Sequence, residues 1–298
     1  MARILTYLDA PMWRAVRELY LQDKVVEALY EADQLGGLDS NDLYAEAEVR
    51  RDGTKWKLRA WLSWEAIESE VPHVQEIGDL IAAECESLSK RFRWDHREDT
   101  LVALLPQDVE APWMPGRWGY FVDKVPYDKI CLPRHLVGDR DNLIRTIQHE
   151  FMHDVTVNLA GGRASRWLSE AMSTYAENRL DREAWKQFQL ESLPWLDPVD
   201  LEGMVSTDNR KEELRHAISG AYAQANLIAR FLASQFGEDK LGELLRSIGD
   251  ESFLESLQTE ILARSHVDTG LRKVFHLSEH DVFTKAHEWV LSTPVPRS

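Results

Sequence analysis

The run His149-Glu150-Phe151-Met152-His153 constrains this chain more than any other stretch. On a helix, positions four apart lie one turn from each other on the same face, so both imidazoles project together with Glu150 beside them. Two ring nitrogens so placed can converge on one tetrahedral ion, and a neighbouring carboxylate can take a proton from water held there. The preceding residues, Asp141 to Gln148, continue a helical pattern, with Leu143, Ile144, Ile147, Phe151 and Met152 as its apolar stripe. The spacing therefore predicts a helix bearing half of a zinc site. The plain alternative is an amphipathic helix whose histidines only pack or meet solvent.

A third ligand has to come from another element. After Gly161-Gly162 a second helical pattern begins at Arg166, and Glu170 on it is the candidate. The sixteen residues between His153 and Glu170 suffice to finish one helix, turn at the glycines and return a carboxylate to the metal. His149, His153 and Glu170 would leave a fourth position open for water, the pattern of a catalytic rather than a closed structural Zn2+ site. Glu177, two turns after Glu170, reads equally well as a hydrogen-bond partner of a ligating histidine and as an ordinary surface carboxylate.

These residues resemble the gluzincin metallopeptidases, in particular the catalytic core shared by aminopeptidase-N-like enzymes and smaller peptidase MA-like proteins. His153-Asp154-Val155-Thr156-Val157-Asn158 is similar to the HxxTxN continuation of that family's first helix. Trp167-Leu168-Ser169-Glu170-Ala171 resembles its W-L-x-E-G/A segment, which carries the glutamate ligand, and Ser173 to Glu177 its T-x-Y-x-E continuation. Ala221 to Leu227 resembles the start of a later helix, whose tyrosine hydroxyl is implied to stabilise the oxyanion. That role falls on Tyr222 through the resemblance alone; a half-buried tyrosine with a hydrogen-bonded tip is the other reading.

The departures narrow what the resemblance implies. Aminopeptidases of this type hold the substrate's free amino terminus with the glutamate of a G-x-M-E-N edge strand. The counterpart here, Gly119-Tyr120-Phe121-Val122-Asp123, has Val122 at that place. The gap between the second histidine and the glutamate is shorter than in those enzymes, and their large N-terminal β-domain is lacking. The likeness covers about Asp99 to Trp289, so the zinc core is carried over and the exopeptidase activity is not.

Composition agrees with this reading. At 298 residues the chain can form one two-lobed unit or two small domains, each with a substantial core. A net charge of −16 leaves no basic stripe for nucleic acid. Cys85 and Cys131 are too few for a disulfide framework or a thiolate metal site, and a reducing compartment suits them best. The start has too short an apolar run for a signal peptide and no later run is long enough to span a membrane, so the expectation is a cytoplasmic protein.

Along the chain, Met12 to Ala32 has helical periodicity and the glycines of Leu35 to Asn41 break it. Leu43 to Arg50 and Lys55 to Leu62 read as two strands joined by a hairpin turn at Arg51 to Thr54. Trp64 to Phe92 reads as a long helix, irregular near Pro72. Thr100 to Leu105, Tyr120 to Val122 and Ile130 to Leu132 read as strands, with the loop holding Trp113, Pro115 and Trp118 as hydrophobic cover or rim. The mixed charges of Asp208 to Arg215 read as solvated helix surface. A second metal-like run, His276-Leu277-Ser278-Glu279-His280, is set aside, because Ser278 as an N-cap would leave His276 outside the helix.

The expected fold is α+β and zincin-like. Residues 1–36 would form an N-terminal helical extension, 37–160 an upper lobe of mixed sheet plus metal-bearing helix, and 161–298 an all-helical lower lobe with the glutamate ligand. Tyr120 to Asp123 would be the sheet-edge strand that receives an extended peptide. The expected activity is zinc-dependent hydrolysis of internal peptide bonds, with Glu150 as proton acceptor, Tyr222 on the oxyanion, and a peptide or protein as partner. The alternative is a non-catalytic zinc-containing module that binds a peptide or protein without turnover. Glu150 favours the enzyme, since a pure ligand set needs no base.

Overall fold

The computed structural model describes residues 10–35, 41–95, 99–105, 119–123, 127–207, 214–250 and 265–296. Met1 to Asp9, the glycine break at Gly36-Gly37, the loop of Trp113, Pro115 and Trp118, and most of Asp208 to Arg215 lie outside them. The architecture is α+β, with a five-stranded mixed sheet and many helices. It divides into two compact units, Met1–Ser87 with Asp95–Asp154 and Leu88–Trp94 with Val155–Ser298.

The first unit holds the sheet: β1 (Thr54–Lys57), β2 (Leu62–Ala66), β3 (Thr100–Leu105), β4 (Tyr120–Val122) and β5 (Asp128–Pro133). Their spatial order is β1-β2-β3-β5-β4. β2, β3 and β5 run parallel, while β1 and β4 pair antiparallel at the two edges. The three central strands are buried along their whole length, as parallel strands covered on both faces must be.

Among the described residues, three α-helices precede β1 in the chain and a fourth follows β2. Helices α1 (Arg14–Leu21) and α2 (Val25–Gln34) fulfil the helical periodicity of the N-terminal stretch. Leu43 to Arg50 is not a strand but part of α3 (Asn41–Asp52). Its Ala-Glu-Ala-Glu core is built of strong helix formers. The apparent alternation arises because α3 is buried along two stripes. Leu43 and Ala47 pack with residues of α1 and α2, and Ala45 and Val49 with Ala103, Leu105 and Cys131 of the sheet. The hairpin forms one element later, between β1 and β2. Trp64 to Ala66 belong to β2, and α4 (Val74–Phe92) starts only after Pro72, whose ring and missing N–H exclude it from a helix interior.

Helices α1 and α2 are tied into this unit. Val16, Tyr20, Val25, Ala28 and Ala32 share one core with Val122 of β4, and Tyr120 packs against it. A buried polar network adds to this. The Lys129 ammonium lies 2.6 Å from Glu46 Oε1, the Tyr20 hydroxyl donates to Glu46 Oε2 at 2.7 Å, and Arg50 pairs with both Asp23 and Glu65.

One unit boundary falls within α4, after Ser87, and another within α5 (Arg140–Leu159), after Asp154. The second unit then contains α6 (Arg166–Ala176), α7 (Arg182–Gln189), α8 (Pro198–Ser206), α9 (Arg215–Phe236), α10 (Asp239–Gly249), α11 (His266–Phe275) and α12 (Glu279–Ser292). Side-chain caps start five of them: Ser165, Asp181, Asp197, Ser265 and Ser278 each accept from a backbone N–H of the first turn. Ser278 and Asp281 form a capping box, and His276 closes α11 in a left-handed conformation, outside α12 as expected. The rival histidine motif therefore does not place its two imidazoles on one helical face. No helix among the described residues is long and apolar enough to cross a membrane.

Candidate metal centre

Helix α5 carries the HExxH run. Leu143, Ile147, Phe151 and Met152 are buried, as the apolar stripe requires, and Ile144 is half-buried. Two polar ties fix the helix within the first unit. Asp154, fully buried, accepts a hydrogen bond from Thr100 Oγ1 of β3 at 2.7 Å, and Gln148 Nε2 donates to Glu84 of α4 at 2.8 Å. His149 and His153 are half-buried, with Nε2 atoms 3.2 Å apart and rings at 78° to each other. Phe121 of β4 lies against the His153 ring, centroids 6.4 Å apart and planes 21° apart.

The chain leaves α5 through Gly161 and Gly162, both at positive φ, which glycine adopts without strain. Ser165 then caps α6, and the Glu202 carboxylate accepts the backbone N–H groups of Arg166 and Trp167 at 3.0 and 2.8 Å. One turn further in, Glu170 is buried, with Oε1 3.4 Å from the guanidinium of Arg166. One nitrogen from each of His149 and His153 and one oxygen of Glu170 all lie within 4.8 Å of one another, so α5 and α6 bring the three candidate ligands together.

This donor set fits zinc. Two nitrogens at the usual Zn–N distance around a tetrahedral ion stand about 3.3 Å apart, and the two imidazoles are already at that spacing. Two imidazoles and one carboxylate are the ligand types of an open catalytic site. The cysteines are not candidates: both are buried as free thiols, and burial pushes the Cys85 thiol well above its ordinary range.

Glu150 follows His149 on α5 and is 5 % exposed, an unusual burial for an acid unless it has work or a partner. Tyr222 is half-buried on α9, which packs against α6. Glu177 closes α6 and is half-buried; it is not one of the three convergent residues. Val122 corrects one step of the sequence argument. Its side chain is fully buried with Val16, Tyr20 and Val25, so it is not a wall against which a substrate amine could rest. β4 does lie at the sheet edge, but Phe121 is its residue on the histidine side. Asp123, just beyond the strand, is exposed.

Sequence reasoning missed Phe121, Asp154 and Arg166. Arg166 stands four residues before Glu170, and that spacing could have revealed the pair. The other two meet their partners only through the tertiary fold.

No known protein family and no curated protein matches the sequence. Among solved structures, the chain is similar to a variant of an M1 zinc metallopeptidase from Deinococcus radiodurans, with 14% identity and a TM-score of 0.43. The alignment covers 82% of this chain and 53% of that one, so the chain spans about half the length of that neighbour.

Proposed function

We propose that the chain is a zinc-dependent peptidase of the gluzincin kind, with His149, His153 and Glu170 as the ligands. The observation that supports this most is the convergence of two half-buried imidazoles and one buried carboxylate within 4.8 Å. Bound zinc supplies Lewis acidity, which lowers the pKa of water towards neutrality and polarises a carbonyl oxygen. Glu150 accepts the proton released as water attacks the peptide carbonyl and delivers it to the leaving nitrogen. The Tyr222 hydroxyl donates to the oxygen on which negative charge develops. Thr100 and Glu84 act only through α5, by their bonds to Asp154 and Gln148 respectively, and keep the helix that carries the two imidazoles in place.

The same reading makes residues 37–160 and 161–298 the two lobes of a zincin, with 1–36 as their extension, and a cytoplasmic peptide or protein the substrate. Cleavage is assigned to internal bonds, because Tyr120-Phe121-Val122 offers no carboxylate for an amino terminus. Elemental analysis of protein purified without added metal tests the core of the proposal. About one zinc per chain is expected, as for a site of this ligand count, falling sharply in His153→Ala and Glu170→Gln. A diverse peptide library, read by mass spectrometry, should be cut by the wild-type chain. Zinc absent even after reconstitution rejects the proposal. Zinc bound without any cleavage leaves a binding module instead.

A further inference from the structure

In the second unit, Arg91, Tyr175, Arg230 and Glu238 form a cluster with two cations and one carboxylate. Arg91 Nε donates to Glu238 Oε1 at 2.5 Å, and the Tyr175 hydroxyl donates to the same oxygen at 3.0 Å. Both guanidiniums lie over the Tyr175 ring, their central carbons 4.9 Å (Arg91) and 5.7 Å (Arg230) from its centroid. Glu238 is thus taken by Arg91. Arg230 has no carboxylate among the described residues. Its Nε donates to the neutral Asn226 Oδ1 at 2.8 Å, and its Nη2 is sealed from solvent with no acceptor in reach. Burial, and then the like charge of Arg91, push the guanidinium below its ordinary range, while Tyr175 works against them. In a chain of net charge −16, this corner is one negative charge short.

An ionised group that loses hydration without gaining a counter-charge is costly, and arginine is retained in such places where its planar fork meets a carboxylate or phosphate. A single uncompensated guanidinium beside an occupied carboxylate balances one negative charge, which favours a carboxylate over a phosphate dianion. We propose that Arg230 is a recognition residue for a carboxylate on a bound peptide, either an acidic side chain or the C-terminal carboxylate. Arg91 keeps Glu238 from filling the position, and the Tyr175 ring holds the guanidinium plane.

Arg230 lies on α9 two turns beyond Tyr222, about 12 Å along the axis, a span of roughly four residues of extended peptide. That register rests on the peptidase reading; the affinity for a carboxylate does not.

The test uses the full chain carrying Glu150→Gln, to prevent turnover, and fluorescence anisotropy with three matched labelled peptides. One has a free C-terminus and no acidic side chain, one is amidated with a single aspartate, and one is amidated and neutral. At least one carboxylate peptide is expected to bind about tenfold or more tighter than the neutral one, the order of one charge-assisted hydrogen bond. Which peptide shows the gain tells a terminal from a side-chain carboxylate. Arg230→Gln should abolish the difference and leave neutral-peptide binding alone, and Arg230→Lys should restore part of it. Equal binding of all three peptides, no binding of any, or a preference surviving in Arg230→Gln would overturn the proposal. Thermal melting provides a second readout. Arg230→Met should hold or raise Tm, because it removes an uncompensated charge, whereas a clear fall would assign Arg230 to structure alone. Zinc measured on the same samples separates the two readings: a carboxylate preference in a chain that binds no zinc would sink the peptidase reading and leave this one standing.

Discussion

Lys129→Met is the most demanding test of the packing that supports the edge strand. The Lys129 side chain is 0% exposed and its partner Glu46 only 1%. Its ammonium lies 2.6 Å from Glu46 Oε1, 3.8 Å from Asp23 Oδ1 and 4.4 Å from the Tyr20 ring centroid. Methionine keeps the length of the stem and removes the charge, leaving the buried Glu46 carboxylate with a hydrogen bond from the neutral Tyr20 hydroxyl. At that separation the lost attraction is about 6 kcal/mol for an effective dielectric of ~20. The stranded carboxylate can escape most of this by taking up a proton, at a cost of about 4 kcal/mol at pH 7. The smaller figure sets the outcome, so the variant should lose about 3–5 kcal/mol, the range for breaking a buried pair from one side. Because the escape is protonation, the loss should shrink as pH falls towards the ordinary glutamate range. Lys129→Met combined with Glu46→Gln should recover a large part of it at pH 7. Urea unfolding followed by tryptophan fluorescence and circular dichroism measures all three variants. A loss under about 1 kcal/mol for the single change, or no recovery in the double one, would refute the claim that this pair is desolvated.

Glu150→Gln should keep the zinc content and lower peptide hydrolysis by at least about 10²-fold, as the loss of a general base does; unchanged turnover would reject Glu150 as the proton acceptor. Gly249→Ala should destabilise the second unit by about 1–3 kcal/mol in urea, since an added Cβ would stand 2.2 Å from the Leu159 carbonyl oxygen. Glu279 tests a linkage sign. Burial holds its carboxyl above the usual value of 4.5, although Ser265 and Trp167 donate to it. An acid whose pKa is raised on folding loses stability as pH climbs from the unfolded value through the folded one. Glu279→Gln should therefore gain on the wild-type chain between pH 4 and pH 7, and a difference that does not change with pH would count against the assignment.

What was legible in the sequence follows the range of the interactions involved. His149 and His153 could be placed on one face because a four-residue spacing is decided within a single helix turn. Glu170 could be placed on the next helix because the glycines at 161 and 162 and the cap at Ser165 act locally. Leu43 to Arg50 was misread because burial on two stripes looks like period two when only polarity is considered, and the helix-forming Ala and Glu residues were the better guide. Edge strand β4 shows the limit most clearly. Period two requires Phe121 and Val122 to face opposite ways, yet it does not say which of them faces the core. That choice is made by α1 and α2, whose Val16, Tyr20 and Val25 enclose Val122 and leave Phe121 on the side of His153. The N-terminal helices, which look dispensable in sequence, therefore set the phase of the strand beside the candidate ligands. A change that loosens them, Lys129→Met included, is expected to reach His153 through β4: Lys129 pairs with Val122 in register, and Val122 adjoins Phe121.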